Sequence, residues 1–211
     1  MNFALKKLTK YCEAHSFQPS TVLHELERET NLKTLAPQML SGHLQGALLS
    51  LLSKMQQPKT ALEIGTFTGY AAICIAQGLA DDGVLHTIEA NEELAYLIRK
   101  YIAKAELEDK IQLHLGKAEV IIPTLNLNYD LVFIDAGKRF YELHYDLIID
   151  QVNQGGLILV DNILWSGKVT LKEHDKDTSI IHQFNEKVMK DPRVEQVMLP
   201  VRDGLLIMRK I

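Results

Sequence analysis

The chain has 211 residues, of which 46% are hydrophobic and 24% are charged, and its formal net charge is −4. This composition is that of one soluble globular domain, and it excludes a disordered chain and a fibrous repeat. The negative balance provides no overall attraction to nucleic acid or to an anionic membrane surface. Two widely spaced cysteines, Cys12 and Cys74, argue against a disulfide scaffold or a thiolate zinc cluster. We therefore expect a reducing, cytoplasmic location.

The first part of the chain, residues 1–57, carries a helical pattern and is the predicted addition to a single domain of residues 1–211. Short helices are expected at Phe3–His15 and Thr21–Asn31, the second of them capped by Ser20. A longer helix of about five turns is indicated by apolar residues three or four positions apart between Leu40 and Met55. No apolar run approaches the ~20 residues of a membrane-spanning helix, so no membrane contact is expected.

Strand-like and helix-like segments alternate in residues 58–211, the predicted core. The strands are predicted at Thr60–Ile64, Val84–Glu89, Ile111–Leu115, Leu131–Asp135, Leu157–Asp161, Val194–Leu199 and Leu205–Arg209. Helices are predicted at Ala71–Leu79, after Asn91, at Phe140–Val152 and around Ile180–Met189. Because a helix that links two strands makes them parallel, we predict an α/β, doubly wound, mostly parallel seven-stranded sheet with antiparallel C-terminal strands. Ligands of such sheets bind beyond the carboxyl ends of the strands.

The first two strands end in residues suited to a nucleotide. In the segment ALEIGTFTGY, Gly65 and Gly69 have the spacing Gly-x-x-x-Gly, and Phe67 stands where the NAD fingerprint requires a glycine. Glu89 ends the second strand, where an acidic side chain can accept hydrogen bonds from both hydroxyls of a ribose. Together these residues predict an adenosine-containing ligand without a pyrophosphate. The alternative is that the two glycines only turn a strand into a helix.

The fourth and fifth strands end in oxygen-bearing side chains. Asp135 lies in FIDAGKRFY, and Asp161 and Asn162 lie in LVDNILW. On neighbouring parallel strands these side chains come close together and form a hard site suited to Mg²⁺, Mn²⁺ or Ca²⁺. Lys138, three residues after Asp135, can act as a general base if the cation and partial desolvation disfavour its ammonium form. The alternative is that Asp161 and Asn162 form a turn and Asp135 caps a helix.

Five segments together resemble a known family: ALEIGTFTGYAA, TIEAN, FIDAGKRFY, VDNILWSG and LPVRDGLLI. From about Pro37 to the C-terminus, the chain is similar to the cation-dependent, S-adenosylmethionine-dependent O-methyltransferases. These include catechol and caffeoyl-CoA O-methyltransferases and small bacterial relatives. The resemblance implies a Rossmann-like class I methyltransferase fold, S-adenosylmethionine and a divalent cation, with Mg²⁺ the foremost candidate, as cofactors, and a homodimer.

The resemblance also implies roles for individual residues. Asp135, Asp161 and Asn162 are the expected metal ligands, Lys138 and Asp135 the expected catalytic residues, and Trp165 the expected aromatic wall for the substrate. Glu89 is expected to hold the ribose, and Met39 and Ser41 to lie on a segment that closes over the donor. The full set expected to bind the methyl donor is Met39, Ser41, Glu63, Gly65, Phe67, Gly69, Tyr70, Glu89, Gly116, Ala118 and Asp135.

The expected reaction is methylation of one hydroxyl of a small vicinal dihydroxy (catechol-type) phenol. No aromatic residue lies between Trp165 and Phe184, where the plant enzymes place aromatics that contact the substrate, which disfavours a bulky phenylpropanoid thioester. One alternative acceptor is a hydroxylated tRNA base, bound at a basic rim of Arg139, Lys168, Lys172, Lys176 and Arg202. The other alternative is a non-catalytic protein that binds an adenosine ligand.

Overall fold

A computed structural model of the chain describes residues 3–211, with side chains described from residue 7 onward. Helices α1 (Phe3–Ala14), α2 (Thr21–Lys33) and α3 (Gly42–Gln56) precede the sheet. The hydroxyl oxygen of Ser20 accepts a hydrogen bond from the backbone N–H of Leu23, which confirms the predicted N-cap of α2. A 3₁₀ turn lies immediately before α3, so this helix begins later than its apolar pattern predicts.

The sheet has seven strands in the order β3-β2-β1-β4-β5-β7-β6. The first five strands are parallel, whereas β7 pairs antiparallel with both β5 and β6. This topology confirms the predicted fold class. The strands are β1 (Thr60–Ile64), β2 (Val84–Glu89), β3 (Ile111–Leu115), β4 (Tyr129–Ile134), β5 (Val152–Val160), β6 (Val194–Leu199) and β7 (Leu205–Lys210).

Helices cover both faces of this sheet. They are α4 (Tyr70–Ala76), α5 (Ala95–Lys104), α6 (Ala118–Leu125), α7 (Tyr141–Ile148) and α8 (Lys176–Met189). Alternate residues of each strand supply the two cores: Ala61, Leu131 and Phe133 pack towards α4 and α5, and Leu62, Val132 and Ile134 pack towards α6, α7 and α8. Helices α2 and α3 extend the first core, so the N-terminal helices lie over the α4 side of the sheet. Within the described residues, no helix is long and apolar enough to span a membrane.

Several elements differ from the sequence prediction, and the largest differences concern α6, β5 and α7. Helix α6 was not predicted, since Pro123 and a short apolar run obscure its period. Strand β5 begins at Val152 rather than Leu157, and α7 ends at Ile148 rather than Val152. The glycines at positions 155 and 156 weaken the strand signal, but pairing with β4 overrides that local preference.

Candidate active site at the carboxyl ends of the strands

The loop from β1 to α4 brings backbone close to the end of β4. A Cβ atom added at Gly65 would lie 2.2 Å from the carbonyl oxygen of Asp135, so only glycine fits there. Gly65, Phe67 and Gly69 all have positive φ angles (100°, 53° and 96°). A positive φ is strained for phenylalanine, and strain of this kind concentrates at functional sites. The loop therefore presents its backbone at the edge where ligands of this fold bind.

Glu89 is fixed by the backbone on both sides. Its Oε2 accepts a 2.7 Å hydrogen bond from the N–H of Phe67, and its Oε1 accepts a 2.8 Å bond from the N–H of Asn91. The residue is only 8% exposed. Each carboxylate oxygen keeps a further lone pair for another donor. The side chain is thus oriented in advance to accept two hydroxyl groups, which is the arrangement that a ribose requires.

Glu63 lies inside the sheet, below the surface of this loop. It is fully buried, the hydroxyl of Thr87 donates to its Oε2, and among the described residues its Oε1 has no hydrogen-bond partner. Thr66 completes the chain of contacts, with its hydroxyl oxygen 2.5 Å from that of Thr87. Burial raises the pKa of Glu63 well above its ordinary value, while the Thr87 bond acts in the opposite direction.

Asp135 and Asp161 occupy adjacent positions beyond β4 and β5. The N–H of Asp135 donates to the carbonyl of Ile64 at 2.9 Å, and that of Asp161 donates to the carbonyl of Ile134 at 3.0 Å. These bonds continue the parallel ladders, so both carboxyl groups leave the same edge of the sheet. Asn162 follows with a φ of 59°, a left-handed conformation that asparagine tolerates. The structure thus brings together the three residues expected to bind a metal.

The two carboxyl groups share a poorly solvated environment. Asp161 is 2% exposed, and its Oδ2 accepts a 2.7 Å hydrogen bond from Nε2 of Gln45, which is also fully buried. Burial raises the pKa of both aspartates, and the charge of Asp161 raises that of Asp135 further. The positive charge of Arg202 acts in the opposite direction on both of them. Gln45 comes from α3, so the N-terminal helices contribute directly to this site.

The three candidate metal ligands are two carboxylates and one amide. In the described part of the chain, no cluster of three or more His, Cys, Asp or Glu side chains forms a metal-binding group. Within residues 3–211 the Asp135 carboxylate also receives no hydrogen bond, which leaves its oxygens available to a cation. A hard divalent ion matches carboxylate and amide oxygens. The residues therefore fit such an ion through Asp135, Asp161 and Asn162, and not through an all-acidic cluster.

Lys138 lies between two partners at the outer side of the site. Its Nζ is 2.7 Å from Oδ2 of Asp177 at the start of α8, and 3.4 Å from the centre of the Trp165 ring. Trp165 and Ser166 both have positive φ angles (48° and 54°). The backbone that follows β5 is thus bent so that the indole ring covers the lysine. Lys138 and Trp165, predicted separately as base and aromatic wall, are in direct contact.

A narrow cleft joins the loop after β1 to the segment before α3. It is lined by Met39, Leu40, Ser41, Gly65, Thr66, Phe67, Tyr70, Ala71 and Asp135. Six of these nine residues belong to the set predicted to bind the methyl donor. The free volume of the cleft is about 10 Å³, which is room for about one water molecule. A larger cavity of about 380 Å³ lies between α3, α4 and the α1–α2 loop.

The remaining predicted donor residues lie beside the cleft or outside it. The N–H of Gly116 donates to the carbonyl of Glu89 at 2.8 Å, and Ala118 begins α6, so both lie next to Glu89. Gly69 begins the turn into α4. Among the residues with direct contacts in this region that were not assigned to the methyl-donor, metal or catalytic site from sequence are Gln45, Thr87, Asp177 and Arg202.

Two of the five residues of the predicted basic rim have other partners in the described structure. Arg202 donates to the backbone carbonyls of Gln38 and Ser41, and Lys168 forms a 3.0 Å ion pair with Asp175. A phosphate backbone has to compete with these contacts for both side chains.

Comparison with known proteins identifies the family. The family model described as O-methyltransferase matches residues 13–211 of this chain. The chain belongs to the O-methyltransferase family. Tricin synthase 2 from Oryza sativa subsp. japonica is 32% identical to this O-methyltransferase over all of the chain and 79% of the relative's length. Caffeoyl-CoA O-methyltransferase 2 from Petunia hybrida is 34% identical over 79% of the chain and 74% of its own length.

Solved structures agree with this O-methyltransferase in fold along nearly the whole chain. The S-adenosylhomocysteine-bound (SAH-bound) methyltransferase PaMTH1 from Podospora anserina superimposes with a TM-score of 0.90 at 27% identity, covering 100% of this chain and 98% of that one. The O-methyltransferase from Bacillus cereus in complex with SAH gives a TM-score of 0.89 at 26% identity, covering 97% of each chain. The predicted class I methyltransferase fold is thereby confirmed.

Proposed function

We propose that this O-methyltransferase moves the methyl group of S-adenosylmethionine to one hydroxyl of a small vicinal dihydroxy phenol, with the help of a divalent cation. The observation that carries the proposal is the placement of Asp135 and Asp161 on adjacent strand ends, next to Asn162 and the Gly65 loop. S-adenosylmethionine supplies an electrophilic methyl group, and the chain has to bind it and exclude water from it.

The donor half of the site is supported by hydrogen-bonding capacity. Glu89 is held by two backbone N–H groups and keeps acceptor capacity for the hydroxyls of a ribose. Gly65 allows the backbone to approach a ligand where any side chain would collide with Asp135. The relatives solved with S-adenosylmethionine or SAH support the same ligand class here. Met39 and Ser41 form the opposite wall of the cleft that would hold the methionine end.

The cation site in this proposal is supported by the chemistry of its candidate ligands. The charge of Asp161 raises the proton affinity of Asp135, and a positive ion beside both acids would stabilise their ionised forms. Asp135, Asp161 and Asn162 would hold it, and Gln45 would orient Asp161 from behind. A bound divalent cation supplies Lewis-acid chemistry that eases deprotonation of a hydroxyl beside it.

The acceptor half is supported by Lys138 and Trp165. In this proposal Lys138 takes the proton of the reacting hydroxyl after its own ammonium group has lost a proton to solvent, and the ammonium that forms regains its contacts with Asp177 and the indole ring. The flat face of Trp165 gives one wall for a phenol ring. The segment after Trp165 is a 3₁₀ turn with exposed polar residues, which supports a small acceptor rather than a long thioester.

One experiment tests this proposal. The purified chain is incubated with methyl-labelled S-adenosylmethionine and Mg²⁺, and separately with catechol, phenol and hydroxylated tRNA, each with and without a chelator. We expect label in catechol only, and only when the cation is present, because phenol lacks the second oxygen. Label in tRNA alone would contradict the phenol acceptor and favour a hydroxylated tRNA base. Binding of S-adenosylmethionine with no transfer to any acceptor would favour the non-catalytic alternative.

A further inference from the structure

The turn between β6 and β7, residues 200–204, is attached to the segment that follows β5. The N–H groups of Ile163 and Leu164 donate to the carbonyls of Gly204 and Asp203, at 3.2 and 2.9 Å. A Cβ atom at Gly204 would lie 2.4 Å from Cγ of Leu164, so the turn packs directly against the Leu164 side chain. The turn is therefore fixed to the wall of the site that carries Asn162 and Trp165.

Arg202 extends from this turn to the opposite wall. Its Nη1 donates to the backbone carbonyl of Ser41, and its Nη2 donates to that of Gln38 at 3.3 Å. These partners are 161 and 164 residues away in the chain. Arg202 adopts a φ of 51°, a left-handed conformation that its surroundings have to stabilise. The planar guanidinium suits two carbonyl acceptors at once, which the single ammonium of a lysine does not.

The segment held by Arg202 is one wall of the narrow cleft. Met39, Leu40 and Ser41 face Gly65 and Phe67 across a free volume of about 10 Å³. Met39 is 57% exposed, whereas Leu40 and Ser41 are buried. A nucleoside bound between these walls would lie against this segment. A movement of the segment away from the Gly65 loop would separate the Ser41 and Gln38 carbonyls from Arg202.

We propose that Arg202 is a positioning residue that latches the segment Gln38–Ser41 across the donor cleft, so that release of the latch controls exchange of the donor and its product. This inference rests on the proposed function, because it concerns the ligand of the same cleft. The ligand class is a nucleoside that carries an amino-acid chain on sulfur. The latch joins the two walls through one side chain.

The test measures how fast SAH leaves the full-length chain, by stopped-flow displacement with excess unlabelled ligand. Arg202→Met removes both hydrogen bonds, and we expect the dissociation rate to rise about tenfold or more. Arg202→Lys keeps the charge but not the forked donor pair, and we expect a rise of about threefold. Arg209→Met is the matched control, since within the described residues the Arg209 side chain forms an exposed ion pair with Glu195, on the neighbouring strand β6, and no other ion pair.

A second readout separates a latch from general destabilisation. Hydrogen exchange of the backbone amides of residues 38–44 should accelerate about tenfold in Arg202→Met, while exchange within β1 and β4 stays unchanged. Unchanged dissociation and unchanged exchange in Arg202→Met would overturn the latch, and so would acceleration across the whole sheet. If the wild-type chain binds no SAH, the proposed function itself fails. If wild type and Arg202→Met both bind SAH and release it at the same rate, only the latch fails.

Discussion

The side-chain amide of Gln45 donates a 2.7 Å hydrogen bond to Oδ2 of Asp161, joining α3 to the end of β5 across 116 residues of sequence. Both residues are buried, and the bond opposes the rise that burial causes in the pKa of Asp161. The N-terminal helices thus do more than cover the sheet, because one of them orients an expected metal ligand.

Replacement of Gln45 by leucine tests this role. The change preserves side-chain volume but leaves the Asp161 carboxylate without its strongest hydrogen-bond donor, so protons compete better with the cation. We expect the half-saturating Mg²⁺ concentration to rise about 10–100-fold, as losses of residues that support metal ligands do. Activity measured against Mg²⁺ concentration checks this. Gln56→Leu is the control, because the side-chain amide of Gln56 donates to the backbone carbonyls of Asp130 and Gly155, which lie away from the carboxyl ends of the strands. Equal Mg²⁺ requirements in both variants would contradict the role of Gln45.

Replacement of Gly65 by alanine tests the close approach of the loop to β4. The added Cβ would lie 2.2 Å from the carbonyl oxygen of Asp135, and the alanine would have to adopt a φ of +100°. We expect a loss of about 3–5 kcal/mol in the free energy of unfolding, from collision and left-handed strain together. Gly42→Ala has a similar positive φ and no atom within 4 Å, so it should cost only about 1–2 kcal/mol. Equal losses of unfolding free energy in the two variants, measured by urea denaturation, would show that no collision occurs.

Replacement of Lys138 by methionine tests the proposed proton acceptor. Methionine keeps most of the contact with Trp165 but has no amine, so we expect single-turnover methyl transfer to slow about 10²–10⁴-fold. Affinity for S-adenosylmethionine, measured by calorimetry, should stay within about threefold. Lys190→Met removes an exposed pair with Glu186 and serves as the control. Full activity of Lys138→Met would assign the proton to another group.

The histidine pair on β2 and β3 predicts a pH dependence of stability. Nδ1 of His86 lies 3.0 Å from Nε2 of His114, and burial lowers the pKa of both imidazoles below the ordinary value of 6.5. These two imidazoles therefore bind more protons near pH 6 in the unfolded chain than in the folded chain, so their contribution to stability is full above pH 6.5 and decreases as the pH falls through it. We expect this contribution to lower the urea midpoint at pH 5.5 relative to that at pH 7.5.

A double variant isolates this contribution to pH dependence. Replacing both His86 and His114 by glutamine should make the difference between the two urea midpoints smaller. Replacing the exposed His24 by glutamine should leave that difference unchanged. If the double variant keeps the full wild-type difference, the pair does not cause it.

Much of the fold follows from local sequence patterns. The strands β1, β2, β3 and β6 have the predicted bounds, because each is a short apolar run between turn residues. The missed helix α6 and the early start of β5 depend on contacts with other elements. Pro123 and the paired glycines carry local signals that favour other structures, and packing on the sheet outweighs them.

The residues of the candidate site also fall into those that the sequence reveals and those that only the structure reveals. Asp135, Asp161, Glu89 and Gly65 can be found from sequence because they end strands, and parallel strands end at one edge. Gln45 and Arg202 cannot, since their partners are more than 100 residues away and no periodic pattern marks them. The charge of Arg202 suggested a nucleic-acid rim, whereas its hydrogen bonds link two walls of a cleft.

The most direct test of the central proposal is the rate of catechol methylation against Mg²⁺ concentration, for the wild-type chain and for Asp161→Ala. Asp161 is an expected ligand of the cation but lies away from Glu89, so its loss should abolish transfer while SAH still binds. The proposal predicts a saturable rise of the wild-type rate with Mg²⁺, no transfer in a chelator, and none in the variant at any Mg²⁺ concentration. Undiminished transfer in the chelator, or by Asp161→Ala, would contradict it.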